Sequence, residues 1–462
     1  MQNVLLIFGG ELVKYDVVII GGVAAGTSAG ASAKRVDSSL GILLIQKEKF
    51  ISYGGCGLPY YVQGIVKDID DLIEFTPQEF REKKGVEVLP EHEVFEVDFE
   101  RKIVKARSVK DGDVKEFEYE KLVVTTGASP IVLNLEGIED ERIFTIRTPE
   151  DAMRIRGFIE GKRPESVAIV GGGYIGVEMS EAFRTHGLKV FLIEMMDHLL
   201  GNAEPEINEV VVNTLERNGV KVLLKTQVRK FVPDEKIKVV TNSGDMEVDM
   251  VLISVGVKPN TEIFDNVKKS VKGAIEVDET GKTSIEDVFS AGDCATVDHF
   301  ITKEKVYIPM GTTANKQGRI VGRNVAGRKE RFIGVLGSSI TKIFDVEFGR
   351  TGLMEEEAKR SGYNSGSVYI KSLSKAKYYP GSGPIHIKLS FDKKTGKILG
   401  AQMVGSDVHK RIDVVTSAIY GGLTVEELGY MDLAYAPPFS PVWDPVLISG
   451  NVARRYLKLD NR

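Results

Sequence analysis

The chain has 462 residues, 42% hydrophobic and 27% charged, with a net charge of −5. That balance supports several buried cores, excludes a disordered chain, and gives no reason to expect nucleic acid or a membrane as partner. Two cysteines exclude a disulfide scaffold and fit a reducing cytoplasm, whereas the 48 glycines exceed the average usage of about 7%.

Residues 1–13 read as an irregular extension. Their apolar run, 4–8, ends at Gly9-Gly10, too short for a signal core or a membrane span. Residues 15–20 then form an apolar strand. The turn Gly21-Gly22-Val23-Ala24-Ala25-Gly26, a small-residue helix through 33 and a second apolar strand at 41–45 follow it. Residues 94–119 alternate in polarity like an antiparallel meander and run into an apolar strand that closes at Thr126-Gly127. The same order then repeats. Strand 167–170 leads into Gly171-Gly172-Gly173-Tyr174-Ile175-Gly176, a helix through 186 and strand 189–193 before Glu194. An alternating stretch at 236–248 and an apolar strand ending at Gly256 complete the second copy. Short apolar runs alternating with helices predict parallel sheets. From 332 the pattern becomes α+β, with strands near 366–371, 385–391 and 398–404, a helix near 408–421 and a Pro-rich loop at 437–445.

A glycine turn between strand and helix holds a pyrophosphate through backbone N–H groups and the helix dipole. Two copies in one chain point to two dinucleotides. The second is complete at Gly171, Gly173 and Gly176, and Glu194 would accept ribose hydroxyls and repel a 2′-phosphate, favouring NADH over NADPH. The first carries Val23 at the middle position and Gln46 where an acid is usual, so it specifies its nucleotide less sharply.

With the added motif Val288-Phe289-Ser290-Ala291-Gly292-Asp293-Cys294-Ala295, the chain from Lys14 onward resembles the FAD-dependent pyridine nucleotide-disulfide oxidoreductases. The resemblance implies an α/β fold of two Rossmann-like dinucleotide-binding domains, for FAD and NAD, plus a C-terminal α+β dimerisation domain. The expected divisions are an FAD domain at 14–125 and 256–330, an NAD(P)H domain at 126–255, and an interface domain at 331–462 of a homodimer. It assigns Gly21, Gly22, Ala24, Ala25, Gly26, Gln46, Ser52, Thr126, Gly127, Gly292 and Asp293 to FAD. Gly171, Gly173, Tyr174, Ile175, Gly176, Glu178 and Glu194 go to NAD(P)H, Tyr174 as a gate of the nicotinamide pocket and Glu178 as its lining. No metal is expected.

Many members of that family carry two redox cysteines spaced so as to form a local disulfide. Here Cys56 stands alone, with Tyr61 at the second position, and Cys294 reads as packing. Flanking glycines and Pro59 suggest that Cys56 lies at a helix start, which lowers a thiol pKa. Single-cysteine members are similar to coenzyme A-disulfide reductases, NADH oxidases and NADH peroxidases. The latter two typically place a His inside the first turn, where this chain has Ala24. The resemblance therefore leans to the coenzyme A-disulfide reductase branch, with an NADH oxidase as the alternative. It implies that Tyr435 and one of Tyr378 and Tyr379 reach the partner's cysteine, Tyr435 protonating the leaving thiol and the other orienting it, and that Lys34 and Arg35 meet coenzyme A phosphates. Relatives with a C-terminal rhodanese domain are longer; the sequence here stops soon after the interface domain.

Overall fold

The computed structural model describes residues 12–270 and 272–459. Val13 already begins the first strand, and residues 1–11 of the expected extension lie outside the described residues.

The first strand, Val13–Ile20, is buried over its last four residues because Val17 to Ile20 present apolar side chains to both faces. It pairs in parallel with Ile42–Ile45 and with Val114–Val124, and Val288–Ser290 joins the far side of Val114–Val124. Glu87–Leu89 extends one edge, while His92–Asp98 and Ile103–Ser108 add the antiparallel meander at the other. The second sheet is parallel throughout, ordered Val220–Leu223, Lys189–Ile193, Ser166–Val170, Met250–Ile253 and Ile143–Phe144. Between these two sheets the chain passes out and back through one short antiparallel pair, Ala128–Pro130 with Val257–Pro259. The third sheet is antiparallel and has five strands, in the order Ser339–Ile343, Val346–Gly352, Ile398–Gly405, Pro384–Asp392 and Ser365–Leu373. Helices His409–Tyr420 and Pro445–Leu459 pack on it.

Part of the glycine excess is spent on close packing. Helix Ala24–Val36 lies against helix Gly311–Val325, where a Cβ on Gly318 or Gly322 would sit 2.3 Å from Ala25 O or 2.1 Å from Ala29 O. Only small residues on both sides permit that approach.

One core cluster bears on the site. Leu58 and Val62, from the short helix Leu58–Gln63 that follows Cys56, bury with Val177, Phe183 and Phe144 of the second unit and with Phe348 of the third. The segment carrying the cysteine is thereby anchored where three parts of the chain meet.

Candidate active site

Both glycine turns and Cys56 open into one cleft of about 2640 Å³. Pockets for single small ligands run to about 300–1,000 Å³, so this one has room for two extended dinucleotides.

The two turns share a construction. Gly21 has φ +103° and donates its N–H to Ile45 O at 2.8 Å; Gly171 has φ +107° and donates to Ile193 O at 2.8 Å. A Cβ would fall 2.1 Å from Thr125 O in the first case and 2.5 Å from Ser254 O in the second, so neither position admits a side chain. Gly26 and Gly176 sit behind the turns and line no part of the cleft; a Cβ there would be 1.8 or 2.0 Å from the carbonyl oxygen of Gly21 or Gly171. Thr125 Oγ1 and Ser254 Oγ each donate to those same carbonyls at 2.9 Å, a pair of clamps the sequence reading missed. The helices that follow have neither a side-chain cap hydrogen bond nor an acidic residue in the first turn, which leaves their positive ends suited to phosphate. A Cβ on Gly173 would meet nothing within 4 Å, so this residue borders open cleft, as a backbone approached by a pyrophosphate should.

Of the residues expected at the flavin, Gly21, Gly22, Ala24, Ala25, Gln46, Thr126, Gly127, Gly292 and Asp293 line the cleft, and Ser52 does not. Ser52 acts through its backbone: it takes φ +48° and donates its N–H to Gly22 O at 2.9 Å, turning the chain towards the cysteine. On the other side Gly171, Gly173, Tyr174, Ile175, Glu178 and Glu194 all line the cleft. Glu194 accepts the N–H groups of Gly172 and Met196, both at 2.8 Å, which fixes its carboxylate at the cleft edge. Tyr174 OH shares a 2.6 Å hydrogen bond with Ser339 Oγ, and Glu178 Oε1 accepts from Thr341 Oγ1 at 2.8 Å. Strand Ser339–Ile343 of the third sheet thus docks the helix that carries both residues, a contact no sequence motif announces.

Asp293 forms a 2.7 Å ion pair with Arg147, also missed. Arg147 directly precedes the capping box of helix Pro149–Lys162, and nothing local marks it as a cleft residue. The residues present fit FAD: backbone donors at a helix end, an acid beside them at Asp293, and a cleft long enough to reach Cys56.

Cys56 lies in a tight turn, Gly55–Gly57, directly before the helix, and is exposed to the cleft. The expected lowering of its pKa is corrected. The cleft walls push the thiol up, the Glu178 and Asp293 carboxylates add to that, and only Arg147 opposes them. The six-residue helix Leu58–Gln63 is short, and burial by the cleft walls, with carboxylates brought from distant segments, outweighs it. Cys294 is fully buried, with its Sγ 3.5 Å from Ser290 Oγ, Val124 O and Ala291 O, consistent with packing.

Tyr378, Tyr379 and Tyr435 do not line the cleft of their own chain. Tyr378 and Tyr435 are near neighbours at the surface, in segments that also carry the exposed side chains of Phe439, Val442 and Trp443. Buried Arg411 ties together the segments that bear them, donating to Ser374 O at 2.8 Å, Phe439 O at 3.2 Å and Asp444 Oδ2 at 3.0 Å. Lys34 and Arg35 also lie outside this chain's cleft. Lys34 Nζ donates to Ser38 O and Leu40 O, and Arg35 to Ser32 Oγ, so both have intrachain partners near their helix end. Among the described residues there is no group of His, Cys, Asp and Glu that could hold a metal, and no helix long and apolar enough to cross a membrane.

The family model for pyridine nucleotide-disulphide oxidoreductases matches residues 15–318, and the model for the dimerisation domain of the same family matches 338–445. The NAD(P)H coenzyme A polysulfide/persulfide reductase of Pyrococcus horikoshii is 38% identical over 96% of this chain and 100% of its own length. The NADH oxidase of Methanocaldococcus jannaschii is 37% identical over 96% of this chain and 99% of its own. The solved structure of an NAD-dependent persulfide reductase from A. fulgidus has a TM-score of 0.92 at 38% identity, covering 96% of this chain and 83% of that one. The chain belongs to the pyridine nucleotide-disulphide oxidoreductases and is an NAD(P)H-dependent flavoprotein oxidoreductase.

Proposed function

We propose that the chain reduces coenzyme A disulfide or a related disulfide or polysulfide, acting as a homodimer with NADH as preferred donor. One observation carries the reading: Cys56 faces the cleft shared by both dinucleotide turns, and the other cysteine is sealed in the core. A lone redox thiol needs a second sulfur from outside the chain. FAD, when bound, supplies the passage of two electrons from the nicotinamide to a disulfide. The thiolate of Cys56 attacks an incoming disulfide, so that one thiol leaves and the other stays joined to Cys56. Two electrons then cleave that mixed disulfide, and the net change is one disulfide, one NADH and one proton to two thiols and NAD⁺. Ala24 leaves the first turn without an imidazole, which favours thiol chemistry over peroxide chemistry. Tyr435, paired with Tyr378, would protonate the thiol leaving the partner subunit's site. The two oxygens of Glu194, both held by backbone amides, favour ribose hydroxyls over a 2′-phosphate.

Denaturing the purified protein should release coenzyme A, detected by mass spectrometry, in proportion to Cys56. Recovery of Cys56 only as a sulfenic acid would overturn the assignment. Similarity to an NADH oxidase supports a second reading, electron transfer to oxygen. Turnover with oxygen, peroxide, coenzyme A disulfide and polysulfide separates the two. In a disulfide reductase Cys56→Ser abolishes disulfide turnover and spares oxygen consumption.

A further inference from the structure

The two dinucleotide turns match closely except in the side chain that meets the second glycine. In the second turn Glu194 follows strand Lys189–Ile193, and its carboxylate accepts from Gly172 N while facing the cleft. In the first turn the equivalent residue, Gln46, follows strand Ile42–Ile45 and also borders the cleft, but only 4% of its surface is exposed. Its Oε1 accepts from Gly22 N at 2.5 Å, and its Nε2 donates to Glu48 Oε2. Both ends of the Gln46 amide are therefore engaged by protein groups. A pair of ribose hydroxyls is best received by a carboxylate, which offers about four lone-pair sites to an amide oxygen's two. Of the two carboxylates lining this end of the cleft, Glu93 is paired with Lys47 and Glu48 is held by Gln46, with the Glu48 carbonyl accepting from Glu91 N. Neighbouring Lys47 is spoken for by a 2.8 Å ion pair with Glu93.

We propose that Glu48, rather than the strand-end Gln46, receives the adenosine ribose hydroxyls of FAD, and that Gln46 is a positioning residue linking Glu48 to Gly22. The acid has moved two residues along the chain, and the amide bridges the gap. Burial by the cleft walls raises the Glu48 carboxyl above the usual carboxylate range, as befits a group set at a ligand surface and not in open solvent. The inference rests on FAD occupying the first turn.

The test uses the full-length holoprotein and reads flavin release, by recovery of free-flavin fluorescence after dilution, alongside unfolding by circular dichroism. Glu48→Gln should speed FAD release about tenfold, the loss of one charge-assisted hydrogen bond of about 1.4 kcal/mol, with the unfolding transition unmoved. Gln46→Glu sets two carboxylates in contact and should also loosen FAD. The double variant Gln46→Glu/Glu48→Gln rebuilds the strand-end acid of the second turn and should retain FAD within about threefold of the original chain. FMN lacks the adenosine, so apoprotein with and without Glu48→Gln should bind it equally. An unchanged FAD release rate in Glu48→Gln, equal losses for FAD and FMN, or no recovery in the double variant would each overturn the proposal. A parent chain that binds no flavin at the first turn would instead refute the reading beneath it.

Discussion

Replacing Arg411 with Met should loosen two surface segments together. The guanidinium is buried, with two contacts to Asp444 Oδ2 at 2.9 and 3.0 Å. It also donates to the carbonyls of Asp407, Ser374 and Phe439 at 2.8, 2.8 and 3.2 Å. Methionine fills most of the volume but supplies no donor. It leaves a buried Asp444 carboxylate with only Ser440 Oγ and Val446 N at 2.9 Å, and strips three carbonyls of a donor. Removing one partner of a buried ion pair costs about 3–5 kcal/mol, much of it from the charge left behind. That corresponds to a fall of roughly 10²- to 10⁴-fold in hydrogen-exchange protection if the segments open locally. Hydrogen exchange read by mass spectrometry should show the loss at 374–379 and 435–444, with the two parallel sheets unchanged. On the proposed function, disulfide turnover should drop with it, because the Tyr378–Tyr435 pair loses its frame, while NADH-to-ferricyanide turnover persists. A loss of protection below about fivefold would refute the clamp, and full disulfide turnover in a loosened variant would refute the role of the tyrosine pair.

Gly176→Ala puts a Cβ 2.0 Å from Gly171 O; it should abolish NADH binding by titration calorimetry while FAD stays bound, and retention of NADH would count against the second turn as its site. Glu194→Ala should raise the KM for NADH about tenfold and lift relative turnover with NADPH; an unchanged ratio excludes Glu194 as discriminator. Glu178 opposes ionisation of Cys56. Glu178→Gln should therefore shift the pH dependence of iodoacetamide labelling of Cys56 to lower pH and speed labelling at neutral pH by about two- to fivefold, whereas a shift to higher pH would reverse the electrostatic assignment. Phe439→Asp combined with Trp443→Asp should yield monomers by sedimentation, without disulfide turnover but with ferricyanide turnover; an active monomer would contradict the shared site.

Much of the fold is legible in local pattern. The strands of both parallel sheets read clearly because they are apolar on both faces, and the turns because no other residue fits at Gly21 and Gly171. The hairpin Ser339–Ile343 with Val346–Gly352 went unread, since its turn uses Phe344 at φ +53° and carries no Gly or Asn signal. Arg147 was invisible for a different reason. Its partner Asp293 lies 146 residues away, while its immediate neighbours read simply as a helix cap. The thiol of Cys56 shows the limit most plainly. Sequence reveals a helix start beside it, but not the cleft walls that desolvate it or the charges of Glu178, Asp293 and Arg147, which converge from three separate segments. The carbonyls of Ser38 and Leu40, four and six residues on, that accept from Lys34 were equally illegible in the pattern that suggested a phosphate-binding pair at 34–35.

The surface around Tyr435 ties assembly to chemistry. Tyr378 is 77% exposed, and Phe439, Val442 and Trp443 are more than half exposed, all carried by segments that Arg411 and Asp444 hold from within. Rigid backing under a cluster of exposed aromatic and aliphatic side chains is costly for an isolated chain, because the patch gains nothing from solvent and cannot fold away. It makes sense where a second surface covers it, and these residues fall within 338–445, the part matched by the family's dimerisation domain. Cys56 faces the complementary problem: burial by the cleft walls, with the Glu178 and Asp293 carboxylates, opposes its thiolate, and the proposed reaction takes up a proton with its two electrons. A tyrosine pair clamped on one chain and delivered to the cleft of the other would meet both needs at once. On that reading the dimer completes the active site, and a chain that cannot pair keeps its flavin chemistry but loses its thiol chemistry.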